Sequence, residues 1–357
     1  MIRLLVVDDS ALMRKLLGQI FNAQGDFEIA FARDGLEALK IIPVFKPDVV
    51  TLDIHMPGMD GLACLDRIMV ECPSRVVMLS SLTREGAEET LVALDMGAVD
   101  FIAKPSGAIS LGIDELAPRL VEKVRMAATV RLRRSRRLGE RVRLAQPNSV
   151  PPAEPKKMAA RIRSGKEPSG LVLIGTSTGG PPALDAVLSR LPPGFHWPVL
   201  VAQHMPATFT GPLARRLDGI CALTVTEVTG QTRLEPGHIY IAKGDADMVV
   251  SARLGQLVAM AAPSDPQLRW HPSVDRLVRT ALQHVPAANL MGVLMTGMGN
   301  DGAKAMSELK AAGGYTIAEA EETAVVWGMP GELVRENGAT VVLPLDEIAS
   351  GIIRAVG

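Results

Sequence analysis

Short apolar runs alternate with amphipathic stretches along the first third of the chain. The runs are too short for buried helices and predict β-strands over residues 4–7, 49–52, 76–79 and 101–103. The apolar spacing of residues 11–22 has a helical period instead and predicts an α-helix after the first strand. This alternation indicates a doubly wound α/β domain, in which ligands gather at the carboxyl ends of the parallel strands.

The second half of the chain repeats this alternation. Apolar runs predict further strands over residues 171–174, 199–202, 239–242, 290–294 and 315–318. Helix-like segments follow several of them, so we expect a second sheet that is mainly parallel and covered by helices. The predicted fold class is therefore α/β, with two doubly wound domains.

Composition changes sharply between the two halves. Residues 125–143 are rich in arginine and compatible with a helix, and residues 147–169 are rich in proline and serine. This change indicates a final helix that runs into a linker. We therefore predict a first domain over residues 1–122, a basic helix with a Pro/Ser-rich linker over 123–168, and a second domain over 169–357. The arginines form either a solvated face or a docking surface for an acidic partner.

Overall composition narrows the class of protein. The 357 residues are 47% hydrophobic and 22% charged, which is typical of a folded soluble chain with room for two domains. The formal net charge is −1 and no recognition-helix pattern accompanies the arginines, so nucleic acid is not an expected partner. Three scattered cysteines and the lack of an apolar stretch of about 20 residues predict a cytoplasmic protein without a membrane span.

Polar side chains follow the predicted strands of the first domain. Asp8 and Asp9 follow the first strand, Asp53 and Ser80 follow later ones, and Lys104 follows the last. Carboxylates that converge from separate strands repel one another and favour a hard cation such as Mg²⁺. A phosphoryl group on Asp53 would have its charge met by this metal, Lys104 and the Ser80 hydroxyl. Taken singly, the same residues could cap a helix or lie at the surface.

The first domain resembles response-regulator receiver domains. The likeness rests on three segments, residues 8–10, 52–61 and 98–105. It implies a flavodoxin-like fold and phosphorylation of Asp53 by a histidine kinase. The metal would be Mg²⁺, held by the carboxylates of Asp8, Asp9 and Asp53. The likeness also implies a switch made of Ser80, Lys104 and Phe101, whose aromatic ring changes rotamer on activation.

A glycine-rich turn, residues 175–180, follows the first strand of the second domain. Such a turn can present the hydroxyl of Ser177 as a nucleophile or cradle an anion on its backbone N–H groups. A serine nucleophile needs an imidazole as base and a carboxylate to orient it, and His204 and Asp301 follow two other strands. The backbone beside two glycines, at Thr178 and Met298, is expected to stabilise an oxyanion.

The residues alone leave three interpretations of this turn open. The chain order Ser, His, Asp differs from the Ser, acid, His order of α/β-hydrolases. A phosphate-binding loop would require a lysine after Gly179 and Gly180, and none is present there. A catalytic triad, an anion site and an unremarkable turn therefore remain alternatives.

The second domain resembles the catalytic domain of chemoreceptor protein-glutamate methylesterases. The likeness rests on residues 174–180, 203–209, 272–275, 294–302 and 328–330. It implies that Ser177 is the nucleophile, His204 the general base and Asp301 the orienting acid. Lys243 and Gly331 depart from the proline and arginine that are usual in the family.

The order of receiver, linker and esterase domain matches the whole family enzyme. The resemblance implies hydrolysis of glutamate γ-methyl esters on methyl-accepting chemoreceptors, with methanol as product, for chemotactic adaptation. It implies a chemotaxis histidine kinase as phosphoryl donor, peripheral association with receptor arrays, and no cofactor for the esterase reaction. It also implies that the unphosphorylated receiver blocks the active site. Deamidation of receptor glutamines stays open, as does a competing class, a receiver joined to a non-catalytic adaptor with an anion-binding loop.

Overall fold

The computed structural model describes residues 1–104, 109–130 and 168–357. The chain divides into two compact units, residues 1–154 and 155–357. Residues 131–167, which hold most of the predicted linker and every arginine of the basic segment except Arg125, lie outside the described residues. The limits of the three predicted parts therefore stay a prediction.

The first unit is a five-stranded parallel sheet with helices between its strands. Its strands are β1 (Ile2–Val7), β2 (Phe27–Ala32), β3 (Val49–Asp53), β4 (Arg75–Ser80) and β5 (Asp100–Ala103). Its helices are α1 (Ala11–Asn22), α2 (Gly35–Phe45), α3 (Gly61–Glu71), α4 (Arg84–Met96) and α5 (Ile109–Thr129). The strand order β2-β1-β3-β4-β5 confirms the predicted flavodoxin-like fold.

Side-chain caps set where the first four helices begin. Ser10, Asp34, Asp60 and Thr83 each accept a hydrogen bond from a backbone N–H in the first turn of the helix that follows. Such caps satisfy donors that have no partner inside the helix. Because Ser10 caps α1, the two aspartates before it are not needed for this purpose.

The second unit contains a seven-stranded parallel sheet and a small antiparallel sheet. The large sheet has the order β15-β14-β13-β6-β7-β10-β8. These strands are β6 (Leu171–Thr176), β7 (Val199–Gln203), β8 (Thr224–Val228), β10 (His238–Ala242), β13 (Leu290–Leu294), β14 (Tyr315–Glu319) and β15 (Val341–Leu343). The small sheet, of order β11-β12-β9, is made of β9 (Thr232–Arg233), β11 (Ala246–Arg253) and β12 (Gln256–Pro263).

Six helices and a short 3-10 turn complete the described part of the second unit. The helices are α6 (Gly180–Leu188), α7 (Ala207–Ile220), α8 (Val274–Leu282), α9 (Ala303–Ala311), α10 (Met329–Arg335) and α11 (Leu345–Val356). The predicted parallel α/β architecture is confirmed for both units. Among the described residues, no helix combines the length and apolar character that a bilayer crossing requires.

The centre of the large sheet brings three strands side by side. β13, β6 and β7 are neighbours, and every residue of these strands is buried. Parallel neighbours end at the same edge of the sheet, so the segments that follow them meet there. These are the segments that carry Asp301, Ser177 and His204.

Candidate functional site

Three carboxylates converge at the ends of β1 and β3 in the first unit. One oxygen from each of Asp8, Asp9 and Asp53 lies within 4.8 Å of the other two. Asp8 and Asp53 are buried and Asp9 is exposed, which leaves one side of the cluster open to solvent. The ammonium of Lys104 lies 2.9 Å from Asp8 Oδ2 and 2.8 Å from Asp53 Oδ2. The structure therefore brings together the metal and phosphorylation residues predicted from the sequence.

Burial and charge shape the ionisation of this cluster. Burial raises the pKa of Asp53, because it outweighs the hydrogen bond and positive charge of Lys104. Burial alone would lower the pKa of Lys104, but the hydrogen bonds and charges of Asp53 and Asp8 raise it instead. Clustered carboxylates are the hard oxygen donors that Mg²⁺ prefers. The three aspartates therefore fit a Mg²⁺ ion, which would offset the repulsion between Asp8 and Asp53.

Of the other predicted switch residues, Ser80 is the last residue of β4 and Phe101 lies on β5. The fully buried Ser80 Oγ lies 3.0 Å from the Gly86 carbonyl oxygen and 2.7 Å from Thr90 Oγ1, both on α4. A phosphoryl group would have to compete with α4 for this hydroxyl. The Phe101 ring is buried, with Lys123 Nζ 5.2 Å from its centroid.

Strand register places Ser177 and His204 next to each other in the second unit. Thr176 on β6 is paired with Gln203 on β7, so Ser177 and His204 are the next residues along two adjacent strands. The His204 N–H donates to the Thr176 carbonyl at 3.0 Å and extends the ladder by one step. The side-chain amide of Gln203 lies 3.0 Å from the Ser177 carbonyl and 3.1 Å from that of His204. Gln203 thus fixes both segments, a role that the sequence did not reveal.

His204 and Asp301 form a buried pair. Asp301 Oδ2 lies 2.8 Å from His204 Nε2, and both side chains are less than a tenth exposed. Because a carboxylate only accepts hydrogen bonds, the imidazole proton belongs on Nε2. The second ring nitrogen, Nδ1, is buried and has no hydrogen-bond partner among the described residues. Its lone pair is therefore left to accept a proton.

Asp301 is held by the start of α8. Its Oδ1 accepts hydrogen bonds from Ser273 Oγ at 3.1 Å and the Asp275 N–H at 3.0 Å, and Oδ2 accepts from the Val274 N–H at 2.7 Å. Burial would raise the pKa of Asp301, but His204 and these backbone donors outweigh it and lower the pKa. The carboxylate is therefore ionised at neutral pH and fixed in orientation. Sequence reasoning noted residues 272–275 but not this contact, although a serine before an apolar helical run is a cap signal.

Trp270 covers the imidazole of His204. The two rings are nearly parallel, with centroids 5.6 Å apart and an interplanar angle of 8°. The Arg269 guanidinium lies 4.5 Å from the centroid of the Trp270 ring. A flat ring on one face of an imidazole restricts its rotation. Neither residue was predicted as part of the site.

The loop after β13 packs directly against Ser177. The Ser177 N–H donates to the Thr296 carbonyl at 3.0 Å, and a Cβ on Gly297 would lie 2.8 Å from Ser177 Cβ. The next residue, Met298, has a backbone N–H without a hydrogen-bond acceptor among the described residues. The side chain of Thr178 is buried and its carbonyl accepts from Thr296 Oγ1 at 2.9 Å. The structure thus places both predicted oxyanion positions beside Ser177.

The two family departures lie at different places. Lys243 is exposed at the end of β10. Gly331 is buried in α10 against the ring of Trp327, where a Cβ would lie 3.0 Å from the ring carbons. A larger side chain at position 331 would therefore require the indole to move.

Replacing Gly180 by alanine is expected to disturb the site by displacing the side chain of Gln203. The new Cβ would lie 1.9 Å from Gln203 Oε1 and 2.5 Å from Thr176 Oγ1, so Gln203 must move and release Ser177 and His204. We expect overpacking to lower stability by about 1–3 kcal/mol. Misplacement should lower the predicted esterase rate about 100-fold. Thermal unfolding and initial rates measure the two effects.

Gly219→Ala is the matched control for this substitution. Gly219 lies in α7, and no atom lies within 4 Å of the position that its Cβ would take. Helical propensity favours alanine over glycine by about 1 kcal/mol. Equal loss of activity in the two variants would contradict the account of Gly180.

Comparison with known proteins connects this geometry with a family. Residues 172–352 match the CheB methylesterase family, and residues 4–112 match the response regulator receiver domain. The chain is 57% identical over 357 residues to protein-glutamate methylesterase/protein-glutamine glutaminase 2 of Rhodopseudomonas palustris (strain BisB18), across 99% of this chain and 98% of that protein. It is 52% identical over 350 residues to protein-glutamate methylesterase/protein-glutamine glutaminase 3 of Rhodospirillum rubrum, across 98% and 95%.

A solved structure resembles the second unit. The crystal structure of the Thermotoga maritima CheB methylesterase catalytic domain is 39% identical and aligns with a TM-score of 0.50. The alignment covers 52% of this chain and 97% of that one. Similarity thus extends over both units at the level of sequence and over the esterase unit at the level of structure. The chain is a member of the CheB methylesterase family, with a response-regulator receiver domain preceding the esterase domain.

Proposed function

We propose that this protein hydrolyses glutamate γ-methyl esters on chemoreceptors, with Ser177 as nucleophile, His204 as general base and Asp301 as orienting acid. The observation that carries the proposal is the buried pair of His204 and Asp301, 2.8 Å apart, on the strand end beside Ser177. A pair of this kind is what a serine hydroxyl requires for activation. The non-catalytic adaptor is not favoured, since the full-length relatives are named as enzymes.

The reaction transfers the glutamyl acyl group from the methoxy oxygen of the ester to water, with Ser177 as the intermediate acceptor. Ser177 Oγ attacks the ester carbonyl carbon while its proton passes to His204 Nδ1, and the carbonyl oxygen becomes an oxyanion. The N–H groups of Met298 and Thr178 stabilise this oxyanion. The bond to the methoxy oxygen then breaks, and His204 donates its proton so that methanol leaves. Water repeats the sequence on the acyl-serine and releases the glutamate carboxylate and free Ser177.

A receptor glutamine could follow the same route, with ammonia as the leaving group. The names of the relatives above include glutaminase activity. We propose this second reaction for the same three residues, because only the group protonated by His204 differs. Methanol release from methyl-labelled receptor and ammonia release from receptor that carries glutamine test the two activities separately. Absence of methanol release by the phosphorylated full-length chain would contradict the esterase proposal.

We further propose that the receiver is phosphorylated at Asp53 by a chemotaxis histidine kinase. Asp8, Asp9 and Asp53 would hold Mg²⁺, whose positive charge supports transfer of the phosphoryl group. Lys104 already contacts the acceptor carboxylate at 2.8 Å and would neutralise charge on the phosphorylated residue. The expected setting is the cytoplasmic side of receptor arrays. The three free cysteines agree with a reducing compartment.

Removal of residues 1 to about 145 is expected to raise basal methanol release. The proposed restraint by the unphosphorylated receiver is a coupling between two sites, and a typical coupling free energy of about 1–3 kcal/mol corresponds to a factor of about 5 to 150. Initial rates of the intact and shortened chains, with and without a small-molecule phosphoryl donor, measure the effect. Asp53→Asn in the intact chain should keep the low rate and ignore the donor. Equal rates of the intact and shortened chains under all conditions would refute the restraint.

A further inference from the structure

A second His–Asp pair, formed by His271 and Asp247, is linked to the pair of His204 and Asp301 through Ser273. Asp247, on β11, is completely buried, and its Oδ1 lies 2.9 Å from His271 Nδ1. Asp247 has no part in the acyl-transfer steps. A buried carboxylate is costly unless several donors compensate it, so its presence requires a reason.

Donors surround both oxygens of Asp247. Oδ1 also accepts from the Ser273 N–H at 2.8 Å, and Oδ2 accepts from Arg276 Nη1 at 2.7 Å and the Asp265 N–H at 3.2 Å. Burial would raise the pKa of Asp247, but these hydrogen bonds outweigh it and lower the pKa. The side chain is therefore an anion with four fixed donors.

All four donors belong to one stretch of chain, residues 265–276, that leads into α8. The same stretch supplies three of the four hydrogen bonds to Asp301, from Ser273 Oγ and the N–H groups of Val274 and Asp275. Ser273 joins the two carboxylates, because its N–H donates to Asp247 while its Oγ donates to Asp301. It is also almost completely buried, so water cannot replace either contact easily.

We propose that Asp247 is a positioning residue of the esterase reaction, which fixes residues 265–276 at the start of α8 and thereby the orientation of Asp301 and His204. This inference rests on the proposed function. Asp301 accepts four hydrogen bonds, and only the one from His204 comes from outside residues 265–276. A shift of this stretch would therefore move the carboxylate that orients the base.

Asp247→Asn tests this role. The amide group would face Arg276 and the Asp265 N–H in one orientation, or His271 and the Ser273 N–H in the other, so a donor meets a donor either way. A displacement of about 1 Å in a reacting group costs roughly 100-fold in rate. We expect kcat for methanol release to fall about 10- to 100-fold, with KM changed less than about threefold, because substrate contacts are retained.

A double-mutant cycle with Asp301→Asn separates positioning from a purely structural role. If Asp247 acts through Asp301, adding Asp247→Asn to Asp301→Asn lowers kcat by no more than about twofold further. Independent effects would give the same fold loss in both backgrounds and overturn the inference. An unchanged kcat in the single variant would overturn it as well. Methyl-labelled receptor gives the sensitivity that the slow double variant requires.

Arg276→Gln provides a second route if Asp247→Asn does not fold. It removes the guanidinium from Asp247 Oδ2 while the partly exposed position tolerates a polar side chain. We expect a smaller loss of kcat that is also absent in the Asp301→Asn background. Asp185→Asn, which removes an ion pair with Arg216 between α6 and α7, is the control and should keep the kcat of the unmodified chain.

Ser177→Ala in the same assay separates failure of this inference from failure of the proposed function. If Ser177→Ala still releases methanol at the normal rate, the esterase proposal falls and the inference falls with it. If Ser177→Ala is inactive while Asp247→Asn is normal or additive with Asp301→Asn, only the positioning role is overturned.

Discussion

Asp301→Asn is expected to reduce kcat for methanol release by about 10⁴-fold, as loss of the orienting acid does in other serine hydrolases. An asparagine must place its amide group at one of two positions, and both already face donors. At Oδ2 the amide would meet the Val274 N–H and donate to His204 Nε2, which moves the imidazole proton to Nδ1. The base would then face Ser177 with a proton instead of a lone pair.

The opposite orientation of the asparagine would keep an oxygen at His204 Nε2 but would disturb the contacts that hold the side chain in place. The amide would then face Ser273 Oγ and the Asp275 N–H, which are the donors to Oδ1. Steady-state kinetics on methylated receptor measure the loss, with circular dichroism as a check on folding. Asp185→Asn is the matched control, because this carboxylate pairs with Arg216 between α6 and α7 and lies outside the contacts that hold Asp301. A normal kcat in Asp301→Asn would contradict the assigned role.

Fully buried strands are the part of the fold that sequence patterns predict well. β6, β7 and β13 are apolar throughout because both faces of a central parallel strand are covered. The exposed Glu28 interrupts β2, and polar residues alternate with valines in β8, so neither strand is apolar throughout. The antiparallel strands β11 and β12 also carry exposed positions, and their pairing depends on a hairpin that no run length predicts.

The sequence predicts only those site residues that follow a strand. Ser177, His204 and Asp301 follow central strands, so topology alone brings them together. Gln203 and Asp247 contact segments that are far apart in sequence. Residue type and local spacing do not predict such contacts. Ser80 shows the same limit, because its position was predicted but its hydrogen bond to the Gly86 carbonyl was not.

Ser177→Ala is expected to remove esterase activity, with kcat lowered by up to about 10⁶-fold. The substitution deletes the only atom proposed to attack the ester carbonyl and leaves the backbone contacts of residue 177 intact. The Ser177 N–H still donates to the Thr296 carbonyl, and the Ser177 carbonyl still accepts from the Gln203 side-chain amide and the Gly180 N–H, because none of these contacts involves the hydroxyl. The fold and the affinity for methylated receptor should therefore be retained.

Ser189→Ala is the control for loss of a serine hydroxyl nearby. Ser189 follows α6 and its Oγ donates to the Asp185 carbonyl at 2.6 Å, in an exposed position. We expect this variant to release methanol at the rate of the unmodified chain. A large loss in both variants would indicate that α6, not the nucleophile, is the sensitive feature.

Methanol release from methyl-labelled chemoreceptor, measured side by side for the phosphorylated full-length chain and for Ser177→Ala, tests the proposed esterase mechanism most directly. With Ser177 as nucleophile, the unmodified chain releases methanol rapidly, the variant releases it at the level of the enzyme-free control, and both bind the receptor equally. Release by a folded Ser177→Ala at the unmodified rate would contradict Ser177 as the nucleophile of this enzyme.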